Sequence, residues 1–226
     1  MRIAVLGTGM VGQALAGRLD ELGHEVIVGT RDPEATRART EPDQMGNPGV
    51  GTWVEQHPTV GLATFADAAR DAELVVNATN GSVSLEVLTL AGTDQLADKV
   101  LVDVANPLDS SGGMPPTLFV KDSDSLAETI QRAFPATRVV KTLNTMNAHL
   151  MVHPTTLADG DHTVFVSGDD EAAKQTVTQL LTSMGHTDVL DLGDLSTARG
   201  PEMMLPVWLR LWGALGTPAF NFKIVR

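Results

Sequence analysis

Apolar positions along this chain follow two alternating patterns, short continuous runs and longer stretches with helical spacing. The first run, Arg2-Ile3-Ala4-Val5-Leu6, predicts a strand. Ala14, Leu15, Leu19 and Leu22 then recur at the spacing of a helix face. The alternation continues, with strands predicted over 25–28, 59–64, 74–79, 100–104 and 138–143 and helices over 66–71, 82–97 and 125–134. The run Leu74-Val75-Val76 is wholly apolar, as in a strand covered on both faces. Asp32 before Pro33 marks a helix start, because the carboxylate caps free N–H groups and proline suits the first helical position.

After residue 147 the pattern changes. A strand is predicted over 163–166, a helix over 169–184 and a strand over 187–192. A last helix, capped by Ser196, carries Met203, Met204, Leu205, Val207, Trp208, Leu209, Leu211 and Trp212 and is apolar nearly all the way round. Pro206 is expected to kink or restart it. Such a helix suits a homodimer contact, with one face on a substrate cleft. The expected division is a dinucleotide-binding domain over 1–146 and a small C-terminal domain over 147–226. The fold class is α/β: a Rossmann-like, doubly wound parallel sheet with a small C-terminal α/β extension. Two long loops, 41–58 and 108–124, interrupt the pattern; both are rich in glycine and proline and are candidate lids, and Trp53 and Phe119 either fold over a ligand or, as the favoured reading, pack on the surface.

Candidate chemistry begins at the first turn. The first strand runs into Gly7-Thr8-Gly9-Met10-Val11-Gly12, a glycine fingerprint between strand and helix. Gly7 suits the tight turn, Gly9 lets a pyrophosphate approach the backbone, and Gly12 lets helix and strand pack closely. The N–H groups at the helix start would hold the pyrophosphate. After the second strand stands Gly29-Thr30-Arg31, where an NAD site usually has a carboxylate for the adenosine ribose. A hydroxyl and a guanidinium suit a 2′-phosphate, so Thr30 and Arg31 predict NADP(H), with Arg37 and Arg39 adding longer-range positive charge. In a doubly wound sheet ligands sit beyond the carboxyl ends of strands. That rule adds Ala78, Thr79 and Asn80, then Ala105, Asn106 and Pro107, around the nicotinamide half. Asn144 joins them from the sixth strand, with Lys141 near the cleft or at the sheet edge.

Composition narrows the function. The 226 residues carry a formal charge of −12, which argues against a nucleic-acid partner. No apolar run is long enough to span a bilayer, and a cytoplasmic setting is expected. There is no cysteine, which removes disulfides and thiolate chemistry, and no tyrosine, which removes a Tyr-Lys proton donor. His149 and His153 stand four apart without a third ligand, so no metal is expected. No nucleophile or strong acid is in evidence, and no catalytic residue is assigned.

The chain resembles the NADPH-dependent reductases of the deazaflavin coenzyme F420, the F420-dependent NADP oxidoreductases. The resemblance rests on the glycine fingerprint and on three further stretches: Gly23-His24-Glu25-Val26-Ile27-Val28-Gly29-Thr30-Arg31, Val102-Asp103-Val104-Ala105-Asn106-Pro107-Leu108 and Val140-Lys141-Thr142-Leu143-Asn144-Thr145. The last residues, Asn221-Phe222-Lys223-Ile224-Val225, are also similar. The same reductase domain occurs in membrane ferric reductases, with flavin in place of deazaflavin. The resemblance implies hydride transfer between NADP(H) and coenzyme F420 directly, with the protein holding the two rings face to face. Asn144, Met203 and Trp208 are the expected contacts to the second substrate. Two other functions fit the residues: an NADPH-dependent reductase of flavin or a small carbonyl compound, and a non-enzymatic NADP(H) sensor.

Overall fold

A computed structural model describes residues 1–42 and 48–226. In chain order the first half comprises β1 (Arg2–Leu6), α1 (Met10–Glu21), β2 (Glu25–Thr30), α2 (Pro33–Arg37), α3 (Val50–Gln56), β3 (Gly61–Thr64), α4 (Phe65–Arg70), β4 (Leu74–Asn77), α5 (Ser84–Ala91), α6 (Thr93–Leu96) and β5 (Val100–Asp103). The second half comprises a two-strand ribbon, β6 (Leu108–Asp109) and β7 (Thr117–Leu118), then α7 (Leu126–Ala133), β8 (Arg138–Thr142), α8 (Ala148–Val152), β9 (Thr163–Gly168), α9 (Glu171–Met184), β10 (Asp188–Asp191), α10 (Arg199–Met203) and α11 (Leu205–Leu215).

Eight strands form one sheet in the order β10-β9-β8-β5-β4-β1-β2-β3. Strand order reverses on either side of β1 and β4, so the crevice of a doubly wound sheet opens at their carboxyl ends. Register aligns those ends. Leu6 pairs with Gly29 on one side and Asn77 on the other; Asn77 pairs with Asp103, and Asp103 with Lys141. Residues just beyond this row therefore meet in one crevice.

Alternation along each strand fills two cores. Ile3 and Val5 face one side, where α1, α8 and α9 pack with Val76, Val102, Val140 and Val164. Ala4 and Leu6 face the other, where α4, α5 and α7 pack with Val75, Leu101 and Val139. Caps start the helices as the sequence suggests: Asp32 Oδ1 accepts from Ala35 N at 3.0 Å, and Ser125 Oγ accepts from Glu128 N at 3.1 Å.

Several expectations are corrected. The Rossmann-like, mostly parallel sheet is as expected, with one departure: β9 runs antiparallel to β8, and β10 then pairs parallel to β9. The residues beyond 147 extend the same sheet, and Val164, Val166 and Val177 share a core cluster with Ile3 and Leu15. The helix expected over 82–97 is a short 3-10 turn followed by α5 and α6, separated at Gly92. The loop over 41–58 contains α3, although residues 43–47 lie outside the described part, and the loop over 108–124 contains the β6–β7 ribbon. Trp53 stacks on His57 with ring centroids 4.2 Å apart and packs on the core, the packing role rather than the lid role. The last helix does not begin on a Ser196 cap: Asp194 caps a 3-10 turn over Leu195–Ala198, and the chain restarts at α10 and again at α11, where Pro206 sits in the first turn and no N–H is lost.

Just before β9 and β10 two buried imidazoles meet. His162 and His186 approach edge to face, and His186 Nε2 pairs with Met151 O at 3.0 Å. Burial pushes the His186 pKa down to about 4; the bond to Met151 opposes this and the neighbouring His162 adds to it. Between pH 6.5 and 4 the unfolded chain binds a proton that the folded one refuses, so stability falls as pH falls through that window. Urea titrations at pH 7 and pH 4 are expected to show wild type losing about 3 kcal/mol more than His186→Gln, because each tenfold difference in proton affinity between the folded and unfolded chain is worth about 1.4 kcal/mol.

Candidate active site

The glycine turn has the geometry its sequence requires. Gly7 adopts φ +121°, open to glycine and strained for other residues. A side chain at Gly12 would collide with the Gly7 carbonyl, so α1 can only pack this closely without one. Gly9 is the opposite case: a Cβ there would meet nothing within 4 Å. The backbone at Gly9 and the first N–H groups of α1 are thus open from outside, as a pyrophosphate would need.

From this turn a cleft runs in two directions. One arm, with a volume of about 440 Å³, lies between the end of β2, α2 and α5 and is lined by Gly7, Thr8, Gly9, Thr30, Arg31 and Arg39, among others. The other arm, about 410 Å³, lies beyond the ends of β4, β5 and β8 and reaches α11. Ala78, Thr79 and Asn80 line both arms and join them. The first arm carries Arg31 and Arg39 and is the more polar of the two. The second is mainly apolar, walled by Met10, Val11, Met146, Met151, Trp208 and Trp212.

Most residues expected from sequence meet here. Met10 and Val11 line the apolar arm with Ala105, Asn106, Asn144 and Trp208. Gly12 and Pro107 sit behind the surface, Gly12 as a packing position and Pro107 as a buried turn residue whose carbonyl accepts from Phe119 N. Met203 is not in the cleft: it ends α10, is 38% exposed, and points outside the lining.

Hydrogen bonding alters three roles. The Thr30 hydroxyl is buried and shares a 2.8 Å hydrogen bond with Thr36 Oγ1, so it shapes the pocket wall together with Thr36. Arg39 comes much closer than long-range charge: its Nη2 donates to Thr8 Oγ1 at 2.9 Å and lies over the glycine turn. It is held there by α3. Gly51 N donates to Arg39 O at 2.8 Å, and a side chain at Gly51 would strike the Arg37 carbonyl. Asn106 and Asn144 bind each other, Asn106 Nδ2 to Asn144 O at 3.0 Å and Asn144 Nδ2 to Asn106 Oδ1 at 2.9 Å; Asn144 also donates to Pro201 O at 3.0 Å. This clamp ties the ends of β5 and β8 to α10, the element that leads into the cleft wall.

Lys141 does not reach the cleft. It is 1% exposed and lies between Asp103 Oδ2 and Glu202 Oε1, each at 2.9 Å, with the Ala105 carbonyl as a third acceptor. Burial pulls its pKa down, but the two carboxylates outweigh burial and hold it above the ordinary lysine value. Glu202 also accepts from Leu126 N at 2.7 Å and Ala127 N at 3.2 Å, so it satisfies the first turn of α7. Asp103 accepts from Asn77 Nδ2 at 2.8 Å, and Asn77 Oδ1 accepts from the Thr79 hydroxyl at 2.7 Å. A continuous buried network thus runs beneath the junction of the two arms, from Thr79 to α7. Nothing local in the sequence signals it, since its charges stand at 103, 141 and 202.

Among the described residues no cluster of three or more His, Cys, Asp or Glu side chains has metal-binding geometry, and no helix is long and apolar enough to cross a membrane. The Trp208 indole N–H is buried at the cleft wall and has no hydrogen-bond partner among the described residues, while its ring stacks on Phe220 with centroids 5.2 Å apart.

The chain is similar to proteins of one reductase family. A family model described as NADP oxidoreductase coenzyme F420-dependent matches residues 2–107, which hold the glycine turn, both candidate cations and two of the strand ends. The F420-dependent NADP reductase of Methanothermobacter thermautotrophicus is 31% identical over 217 residues, covering 93% of this chain and 89% of that protein. The rat metalloreductase STEAP3 is 32% identical over 92% of this chain, which spans only 38% of that longer protein. A crystal structure of a candidate F420-dependent NADP-reductase from Arthrobacter sp. FB24 superposes with a TM-score of 0.96 at 64% identity over the whole of both chains. An imine reductase of Streptomyces aurantiacus, 20% identical with a TM-score of 0.62 over 94% of this chain and 62% of that one, shares the fold alone. On this similarity across nearly its whole length, the chain belongs to the F420-dependent NADP oxidoreductase family.

Proposed function

We propose that this enzyme transfers a hydride between NADP(H) and the deazaflavin coenzyme F420. The observation that carries the reading is the two-armed cleft, with a cationic arm at one end, an apolar arm at the other and the glycine turn open between them. The open backbone at Gly9 fits a pyrophosphate; Arg31 and Arg39 fit a 2′-phosphate. When bound, the nicotinamide supplies or takes up the hydride. The chain's own residues bind and orient. Ala78, Thr79 and Asn80 form the passage between the arms, and the Asn106–Asn144 clamp fixes the far strand ends. Trp208, Trp212 and Met151 give an apolar wall that excludes water from the ring faces. Among the described residues that line the apolar arm none is ionisable, and a hydride transfer between two redox rings needs no acid or base from the chain. We place a homodimer contact on the exposed apolar side of α10 and α11, at Met203, Val207 and Leu215, which light scattering tests.

Mixing the protein with NADPH and oxidised F420 is expected to bleach the deazaflavin absorbance catalytically. Turnover with free flavin but not with F420 would overturn the acceptor and favour a flavin reductase; binding of NADPH with no turnover would favour a sensor. Arg31→Ala is expected to weaken NADPH by about 1.5–3 kcal/mol, the range for a lost charged hydrogen bond, and NADH by much less. Equal losses in fluorescence titrations would remove Arg31 from the 2′-phosphate site.

A further inference from the structure

Arg31 is already engaged. Its Nη2 donates to Glu86 Oε1 at 2.8 Å. The two residues come from opposite walls of the cationic arm: Arg31 follows β2, and Glu86 lies in the first turn of α5, between Val83 and Val87, which line that arm. Both side chains are more than half exposed, so the pair forms a strap across the arm's outer side rather than a buried anchor. The other cation differs. Arg39 is tied to the Thr8 and Thr36 hydroxyls, and no carboxylate pairs with it among the described residues. The Asp32 carboxylate is spent on capping α2. Among the described residues Glu86 is the one acid that forms an ion pair with a cation of this arm.

We infer that Glu86 is a specificity-determining residue that competes with the 2′-phosphate of NADP(H) for Arg31. The inference rests on the NADP(H) reading above. A guanidinium presents the same fork of donors to a carboxylate and to a phosphate. A phosphomonoester carries nearly two negative charges at neutral pH, so it must displace Glu86 from Arg31 or share the cation with a like charge beside it. A coenzyme with a 2′-hydroxyl leaves the strap as it stands. Glu86 therefore handicaps NADP(H) selectively. It holds NADP(H) affinity below what Arg31 and Arg39 could give, and it offers Arg31 a partner the moment the phosphate departs, which speeds release. An exposed ion pair is weak, so the handicap is modest.

Glu86→Gln tests this with little risk to folding, because glutamine keeps the size and helix preference of glutamate. Fluorescence titration is expected to show NADPH binding about three- to tenfold tighter in Glu86→Gln, with NADH within twofold of wild type. Stopped-flow displacement is expected to show NADP release slowed by a similar factor. In an Arg31→Ala background the same substitution is expected to change NADPH binding less than twofold. Unchanged or weaker NADPH binding in Glu86→Gln overturns the inference, and so does equal tightening of NADPH and NADH, which would make Glu86 a general repulsion on the coenzyme. These failures are separate from failure of the underlying reading, which would appear as equal loss of both coenzymes in Arg31→Ala alone.

Discussion

Lys141→Met is expected to destabilise the fold by about 3–5 kcal/mol, the range for breaking a buried ion pair from one side. The substitution is close in volume, so packing alone does not account for the loss. It leaves the Asp103 and Glu202 carboxyl groups buried with no cation between them. Glu202 keeps two N–H donors from α7, and Asp103 keeps the Asn77 amide and the Ala105 N–H, which do not replace a buried cation shared by both groups. Urea denaturation measures the loss. Adding Asp103→Asn to Lys141→Met removes one stranded carboxyl group and is expected to recover part of it. The pH dependence has a definite sign. The folded lysine holds its proton above the ordinary value of 10.5, so its contribution is complete below pH 10.5 and is lost only as pH rises through the higher folded value. A loss of less than about 1 kcal/mol in the single variant would mean that the network beneath the cleft does not hold the ends of β5 and β8 to α10.

Gly9→Val is expected to abolish dinucleotide binding, raising Kd about a hundredfold or more, while the protein stays folded. Gly9 sits at φ −76°, a conformation any residue adopts, and a Cβ there meets no neighbour. The added side chain occupies only the space a pyrophosphate would use, and an altered cap at α1 costs about 1 kcal/mol at most. Gly12→Val is the contrast. Its side chain would enter the Gly7 carbonyl, and it is expected to melt well below wild type. Thermal melting by circular dichroism with NADPH titration separates the two. A Gly9→Val protein that still binds NADPH normally would remove the pyrophosphate from the start of α1.

The parts of the molecule that were legible in the sequence are those whose cause is local. The glycine turn is one, because turn, approach and packing are each set by a residue within six positions. The strands of the first half are another, since each apolar run is followed by its own crossover helix. The direction of β9 was not legible. Its residues are buried on both faces and read alike in a parallel or an antiparallel neighbour; the reversal depends on how α8 and two 3-10 turns return the chain between Thr142 and Thr163. Lys141 was misplaced for a related reason. Its place at the end of a strand suggested the cleft or the sheet edge, and only the fold brings Asp103 and Glu202 onto either side of it. Met203 was drawn toward the cleft by the apolar run it belongs to, yet the restart at Leu205 turns it outward. Arg39 shows the opposite error, a remote cation by sequence that the packing of α3 lays over Thr8.

That last contact has a consequence for how coenzyme choice can drift over time. The guanidinium at position 39 is set by a carbonyl-to-amide link from Gly51, on a helix that does not line the cationic arm. A methyl group added at Gly51 would push the backbone of residues 37–39 and carry Arg39 off the turn. On the function proposed above, selection could therefore adjust phosphate recognition through residue choice in α3, leaving the side chains that line the cationic arm as they are.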